Sequence, residues 1–240
     1  MEFVQDFQRI EVKYLLTKGQ LSRLMPVFNK YMVPDRYPCG TNCSLYLDTP
    51  DHLLIRRSLE KPRYKEKLRL RSYGTPGVSG ATFLEIKKKS GGIVYKRRIC
   101  LPADTAMAYL EDGILPPEDS QILREIDFMI NRYGLEPSLM VCYDRNSYAE
   151  AIPSRDSLRI TMDERIRWRD TQLDLRRGDR GQLLLAPDEL IMEVKTAAAL
   201  PLWLLRALYS LGIRQVSFSK VGHAYLQQRS ASSQIFSAAV

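Results

Sequence analysis

Histidine is nearly absent from this chain of 240 residues: only His52 and His223 occur. Neither completes a zinc-type spacing with the four cysteines, Cys39, Cys43, Cys100 and Cys142, and nothing near His223 completes an acid–base pair. So few cysteines at this length fit a reducing compartment, and a cytoplasmic protein with structural thiols is expected. No G-x-x-x-x-G-K-[ST] occurs, which excludes a P-loop. The Gly-rich "GTPGVSG" is followed by no Lys-Ser/Thr and reads as a hairpin turn. G-x-S-x-G and the kinase-type H-R-D are missing as well. Long apolar runs are also scarce. "AAALPLWLL" contains Pro201, stops at Arg206 and is too short to span a bilayer. The start, "MEFVQDFQRIEVKYLL", has early acids and no apolar core of the signal-peptide kind, so no membrane insertion is expected.

What is abundant is positive charge. Lys and Arg number 36 against 28 acids, a net charge of +8. That surplus points to an anionic partner: nucleic acid, lipid headgroups or phosphorylated small molecules. Aromatic residues do not interleave with the basic ones as single-strand binders require, so nucleic acid is not the expected partner.

Hydrophobic period separates the elements. Strands are expected at Gln8 to Leu16, "CSLYLDT", Tyr64 to Tyr73, Ala81 to Lys89, Gly92 to Leu101, Ser138 to Glu150, "SLRITMDERIRWRD" (with a bend) and Leu190 to Lys195. Helices are expected at Lys18 to Met32, Asp51 to Glu60 with Asp51 as cap, Ala103 to Leu110, Glu118 to Tyr133, Leu202 to Leu211 and in "FSKVGHAYLQQR". "VPDRYPCGTN" reads as a loop. Strands dominate, and Gly-rich turns suggest hairpins. The fold class is α+β with a mostly antiparallel sheet.

The strands share an unusual alternation. In "KEKLRLRSYG", Lys65, Lys67, Arg69 and Arg71 fall on one face and Leu68 and Leu70 on the other. Arg9, Glu11 and Lys13 share a face, as do Glu85, Lys87 and Lys89; Lys96 and Arg98; Arg159, Thr161 and Asp163; and Glu193 and Lys195. Arg145 lies in "VCYDRNSY". "E-x-K" occurs on three separate strands, at Glu11, Glu85 and Glu193. One solvated face is the ordinary explanation of alternation in a single strand. Repetition over so many strands suggests instead an antiparallel β-barrel tunnel with a charged lumen and helices packed outside. Like charges in an enclosed space repel and lose hydration, and a polyanion relieves both costs. Arg and Lys suit phosphate oxygens. Carboxylates in the same lumen suit Mg²⁺ or Mn²⁺. Together they have the composition of a metal-dependent phosphoryl-transfer site.

Nine segments in order, "RIEVKYLL", "SLYLDT", "KEKLRLRSYG", "FLEIKKK", "GGIVYKRR", "MVCYDRNSY", "LRITMDERI", "LIMEVK" and "SFSKVGHAY", make the chain resemble the VTC domain. This is the polyphosphate polymerase branch of the triphosphate tunnel metalloenzymes (CYTH-like proteins). The resemblance covers about residues 7–228 and implies a single domain over 1–240 with a loose tail at 229–240. It implies that Lys13, Lys67, Arg69, Arg71, Lys87 and Lys96 line one half of a tunnel and grip phosphates, with Arg98 and Lys195 beside them. Arg145 and Arg159 would come from the other half and Lys220 would close the site. Glu193 would be the main metal ligand, supported by Glu85 and Glu11, for Mn²⁺ or Mg²⁺. The implied catalytic set is Lys67, Arg69, Arg71, Lys87, Arg145, Arg159 and Lys220. The implied activity is transfer of the ATP γ-phosphate to inorganic polyphosphate. A triphosphatase and a non-catalytic polyphosphate or inositol-phosphate binding module are the alternatives. A membrane protein that receives the product is compatible with this picture. One departure stands out: position 9 is Arg where the wider superfamily has the first Glu of E-x-E-x-K.

Overall fold

The computed structural model describes residues 10–91, 93–153 and 158–238. Gln8, Arg9 and Gly92, read above as strand residues, lie outside these ranges. In chain order the elements are β1 (Ile10–Thr17), α1 (Lys18–Phe28), β2 (Met32–Asp48), α2 (Leu53–Leu59), β3 (Tyr64–Tyr73), β4 (Ala81–Ser90) and β5 (Ile93–Pro102). Then come α3 (Ala103–Asp112), α4 (Gln121–Tyr133), β6 (Glu136–Glu150), β7 (Arg159–Arg169) and a 3₁₀ turn at Leu175–Arg177. β8 (Gln182–Leu183), β9 (Glu189–Thr196), α5 (Leu202–Ser210), β10 (Gln215–Val216) and α6 (Lys220–Ala238) complete the described chain.

The strands form one mostly antiparallel sheet in the order β10-β1-β9-β7-β6-β2-β3-β4-β5, with β8 paired to β7. This is the expected α+β class, but the sheet is not closed. Among the described residues no pairing joins β10 to β5. The physical reason lies in the edges: β10 is two residues long and offers almost no ladder for another strand to join.

The chain divides into two compact units. The first is drawn from Met1–Gly40, Tyr143–Ile166 and Leu185–Phe218; the second from Thr41–Cys142, Arg167–Leu184 and Ser219–Val240. In the first unit, alternate residues of β1 (Val12, Tyr14, Leu16), β7 (Ile160, Met162) and β9 (Leu190, Met192, Val194) are buried with Leu24 and Phe28 of α1 and Leu204 and Leu208 of α5. A capping box starts α1: Thr17 Oγ1 accepts the Gln20 N–H at 3.1 Å, and Gln20 Oε1 accepts the Thr17 N–H at 2.9 Å.

In the second unit the buried parity is Cys43, Leu45 and Leu47 of β2, Leu68 and Leu70 of β3, Leu84 and Ile86 of β4, and Ile99 and Leu101 of β5. Ala106 and Met107 of α3 and Leu123, Ile126 and Met129 of α4 belong to the same core. Each fully buried leucine contributes about 1.5–3 kcal/mol, so this parity is strongly fixed. One acid, Glu66, falls on the apolar parity of β3 and is 8% exposed. It is accommodated by two phenols: Tyr64 Oη donates to it at 2.9 Å and Tyr133 Oη at 2.7 Å. Tyr133→Phe is therefore expected to lower stability by about 2 kcal/mol. The reading is a lower urea midpoint with an unchanged slope; an unmoved midpoint would contradict the role given to this bond.

Several elements differ from the sequence reading. The segment 33–42, expected as a loop, is the first part of β2. Pro34, Pro38 and Gly40 carry turn propensity, but the strand is held from outside, for example where the Ala151 N–H donates to the Tyr31 carbonyl just before it, at 2.8 Å. α1 ends at Phe28 rather than Met32, and α4 begins after Ser120, whose hydroxyl accepts the Leu123 N–H. The N-cap position of α2 is His52, not Asp51, and it makes no side-chain cap bond; Asp48, at the end of β2, accepts instead from the Thr49, Leu54 and Ile55 N–H groups at 2.8–2.9 Å. β7 is one strand, and its bend is at Arg165, φ 45°. α6 continues to Ala238, through most of the expected tail.

Candidate functional site

Beginning with the second unit, β3, β4 and β5 bring their charged parity into register. Lys67 stands opposite Lys87, and Lys87 opposite Lys96: three lysines in one row across three strands. Like charges directly opposed destabilise a sheet, so the row has a cost that folding alone does not explain. The adjacent row is Tyr46, Arg69, Glu85 and Arg98. Here Glu85 answers several cations at once. Arg69 donates Nε and Nη2 to its Oε2 at 2.8 and 2.7 Å, Lys96 Nζ lies 2.8 Å from Oε1, and Arg98 Nη1 lies 3.8 Å from Oε1. Burial pushes the Glu85 carboxyl up, but Arg69, Lys96 and Arg71 outweigh it and hold it at about 2.

Tyr46 reports the field of this face. Arg69 Nη1 donates to its Oη at 3.3 Å, and the guanidinium lies 5.9 Å from the ring centroid. Burial raises the phenol, yet Arg69, Lys67 and Arg71 together lower it to about 7. Cations that favour a phenolate to this extent favour phosphate oxygens too. Arg71 donates Nε to Ser44 Oγ at 3.1 Å, and Arg98 lies over the Phe83 ring at 4.7 Å. Lys67 Nζ reaches Ser219 Oγ at 3.4 Å, beside Lys220, which opens α6. α6 approaches α2 closely at Gly222, where a Cβ would stand 2.8 Å from Leu59 Cδ2.

On the first unit, β1, β9 and β7 interleave acids and bases. Glu11 opposes Lys195, which opposes Arg159; Lys13 opposes Glu193, which opposes Thr161. Lys13 Nζ lies 3.5 Å from Glu11 and 3.6 Å from Glu193, and donates to the Phe218 carbonyl at 3.0 Å. Lys195 Nζ lies 3.3 Å from Glu193 and 3.8 Å from Glu11. Arg145 is aimed by a fork: Nε donates to Asp163 Oδ1 at 2.6 Å and Nη2 to Oδ2 at 2.8 Å. Its Nη2 also lies 3.5 Å from Glu193 Oε2, and its guanidinium is 5.1 Å from the Tyr143 centroid. Burial works against the Arg145 charge, but Tyr143, Asp163 and Glu193 raise its pKa above the usual value. Arg159 is drawn aside to Asp35 at 2.8 Å, with its side chain half-exposed.

A divalent cation is implied by this fold, and its donors can be tested against the first unit. Glu11 and Glu193 supply hard carboxylate oxygens. The Thr161 hydroxyl, in register with Glu193 and 2% exposed, has no hydrogen-bond partner. Among the described residues no three His, Cys, Asp or Glu side chains cluster tightly enough to cage a metal alone. Such a set fits Mg²⁺ or Mn²⁺ held by one or two carboxylates and completed by phosphate oxygens. Glu85 belongs to the other unit, and its two oxygens are engaged by Arg69 and Lys96.

The structure thus brings Lys67, Arg69, Arg71, Lys87, Lys96 and Arg98 together on one face. It joins Glu11, Lys13, Arg145, Glu193 and Lys195 on another. Arg159 is in register with the second group but turned to Asp35. Sequence reasoning gives no role to Asp163, Tyr46 or Thr161. The signal is parity: Tyr46 and Thr161 sit one cross-strand step from Arg69 and Glu193, and Asp163 lies on the same strand parity as Arg159, four residues on.

No helix among the described residues is long and apolar enough to cross a membrane, and a membrane-protein partner finds no support. The four cysteines are free thiols, Cys43 and Cys142 buried, Cys39 and Cys100 exposed.

An antiparallel α+β sheet with rows of phosphate-suited cations is the fold class of the triphosphate tunnel proteins. The structure of a candidate adenylate cyclase from Bacillus halodurans shares it, with a TM-score of 0.53 at 14% identity over 88% of this chain and 93% of that one. A candidate adenylyl cyclase from Hippeastrum, described as having a dominant triphosphatase activity, aligns at a TM-score of 0.45 and 15% identity over 89% of this chain and 93% of that one. At the level of sequence the VTC domain family matches residues 8–228, and the chain belongs to that family, within the triphosphate tunnel (CYTH-like) superfamily. No curated protein matches it.

Proposed function

We propose that this protein is a metal-dependent polyphosphate polymerase: it moves the γ-phosphate of ATP onto the end of an inorganic polyphosphate chain and releases ADP. The observation that carries the reading is the row Lys67, Lys87, Lys96 beside Arg69 and Arg71, a cationic face whose one carboxylate, Glu85, is already shared. Family membership supports the choice of substrate.

A terminal phosphate oxygen of the acceptor attacks the γ-phosphorus, the bond from that phosphorus to the β-bridging oxygen breaks, and the electron pair leaves with ADP. The nucleophile is anionic at neutral pH, so no general base is required. Lys67, Lys87, Lys96, Arg69, Arg71 and Arg98 bind the phosphates and neutralise the equatorial oxygens, with Lys220 adding a further cation. Arg145, Lys13, Lys195 and Arg159 act likewise on the first unit. Glu193 and Glu11 would hold a divalent cation, which would supply further charge neutralisation of the phosphates. Glu85 holds Arg69 and Lys96 in position. Free thiols suit a cytoplasmic setting.

The test is to incubate purified protein with ATP and Mn²⁺, and in parallel Mg²⁺, and to resolve the products on a gel. Long-chain polyphosphate with matching ADP is expected. Free phosphate alone would make it a triphosphatase, and tight polyphosphate binding without turnover a binding module.

A further inference from the structure

Two surfaces of this chain have no role in phosphate handling, and they complement each other. The first is on the second unit. From residue 99 to residue 123 the chain carries the acids Asp104, Glu111, Asp112, Glu118 and Asp119 and no Lys or Arg, although the protein as a whole is at +8. The segment after α3 and one face of α4 enclose an open groove of about 440 Å³. Its apolar lining is Leu115, Pro116, Pro117, Leu123 and Phe128, with Leu115 60% and Phe128 63% exposed. Its rim is Glu118, Asp119, Arg124 and Asp127, three acids to one base, with Arg124 paired to Asp119. Asp127 is fixed by the Tyr109 hydroxyl at 2.9 Å and the Asn131 amide at 3.0 Å.

The second surface is on the first unit. α5 buries Leu204 and Leu208, and its opposite side presents Leu202, Leu205, Arg206 and Tyr209, the i, i+3, i+4, i+7 spacing of a single helical stripe. Leu202 is 59%, Leu205 44% and Tyr209 89% exposed. From residue 202 to residue 215 there are two arginines, Arg206 and Arg214, and no acid. Arg206 has no ion pair among the described residues.

We propose that α5 of one copy docks in the acidic apolar groove of a second copy, so that the protein self-associates through a helix-in-groove contact. The stripe Leu202, Leu205, Tyr209 supplies the apolar anchors such a groove takes, and Arg206 meets Glu118 at the rim, Asp119 being paired already with Arg124. The two surfaces differ, so the contact is heterologous, and it closes into a ring or extends according to the rotation it imposes. Nothing in this contact draws on the residues assigned to phosphate binding.

Sedimentation velocity of the full chain from low to high micromolar concentration reads the association directly. The wild type is expected to shift from monomer to larger species, and Tyr209→Ser or Phe128→Ser to weaken that shift at least about tenfold, two exposed substitutions that leave the far-UV spectrum unchanged. Arg206→Glu and Glu118→Lys should each abolish association by placing like charges together. Mixing those two proteins should restore it, because the glutamate stripe of one then meets the lysine rim of the other. A wild type that stays monomeric throughout overturns the proposal, as does association that survives each charge reversal or a mixture that remains monomeric. Binding to anionic vesicles without self-association would overturn it in favour of a lipid surface for α5.

Discussion

Glu85→Gln is expected to destabilise the protein by about 3 kcal/mol at neutral pH, and the deficit should fade in acid. The carboxyl is 1% exposed and held at about 2 in the fold, against an ordinary value of 4.5. A carboxylate depressed by folding contributes stability that is complete above its unfolded pKa and is lost as pH falls through the folded one. A drop from 4.5 to about 2 corresponds to about 3 kcal/mol. Breaking a buried ion pair from one side gives a similar figure of about 3–5 kcal/mol. Urea titrations of both proteins should therefore show a constant gap from neutrality down to about pH 4.5, closing towards about pH 2. Ligand should act in the opposite sense. Without Glu85, the cations Arg69, Lys96 and Arg98 lose their shared counter-charge, and inorganic triphosphate can supply it. The variant should gain more stability from triphosphate than the wild type gains. Equal urea midpoints at neutral pH would remove Glu85 from its place as counterion of this face.

The parity of β3 is legible in its residues alone, because Leu68 and Leu70 cannot face water in every strand of a sheet while Lys67 and Arg69 alternate with them. The same reasoning places Glu11 with Lys13 and Glu193 with Lys195. What parity cannot supply is register. That Glu85 answers Arg69 and Lys96, that Asp163 answers Arg145, and that Arg159 turns to Asp35 all depend on which residue stands opposite which, and the last contact joins residues far apart in sequence. Residues 33–42 read as a loop for a related reason. Pro34, Pro38 and Gly40 are turn formers locally, and only pairing with distant chain draws them into β2. The closed barrel is an inference from charge, and charge does not determine whether two edge strands meet. Asp48 rather than Asp51 serves the first-turn N–H groups of α2, whose N-cap position is His52, because a fully buried carboxylate with three N–H donors outweighs an exposed one nearer the helix start.

Asp163→Asn should remove most of the activity while leaving a folded protein. Asp163 is fully buried and is gripped by Arg145 in a two-point fork, a geometry that fixes both the position and the plane of the guanidinium. An asparagine has the same shape but one acceptor and no charge. Arg145, itself largely removed from water, then turns to its next acceptor, Glu193 Oε2, already 3.5 Å away. That single movement takes a guanidinium from phosphate and occupies an oxygen proposed to hold the divalent cation. Loss of one aimed donor costs about 2–4 kcal/mol of transition-state stabilisation, a turnover decrease of about 10²–10³-fold. The apparent affinity for Mn²⁺ should fall as well, a change that loss of general stability would not produce. Asp163→Glu restores the charge, but its extra methylene displaces the carboxylate in a fully buried site and spoils the fork, so activity should recover only in part. Asp35→Asn provides the contrast, since its partner Arg159 is half-exposed and a pair of that kind contributes only about 0–1 kcal/mol. Turnover and Mn²⁺ dependence unchanged in Asp163→Asn would mean that Arg145 does not meet phosphate at all, and that its fork with Asp163 serves the fold alone.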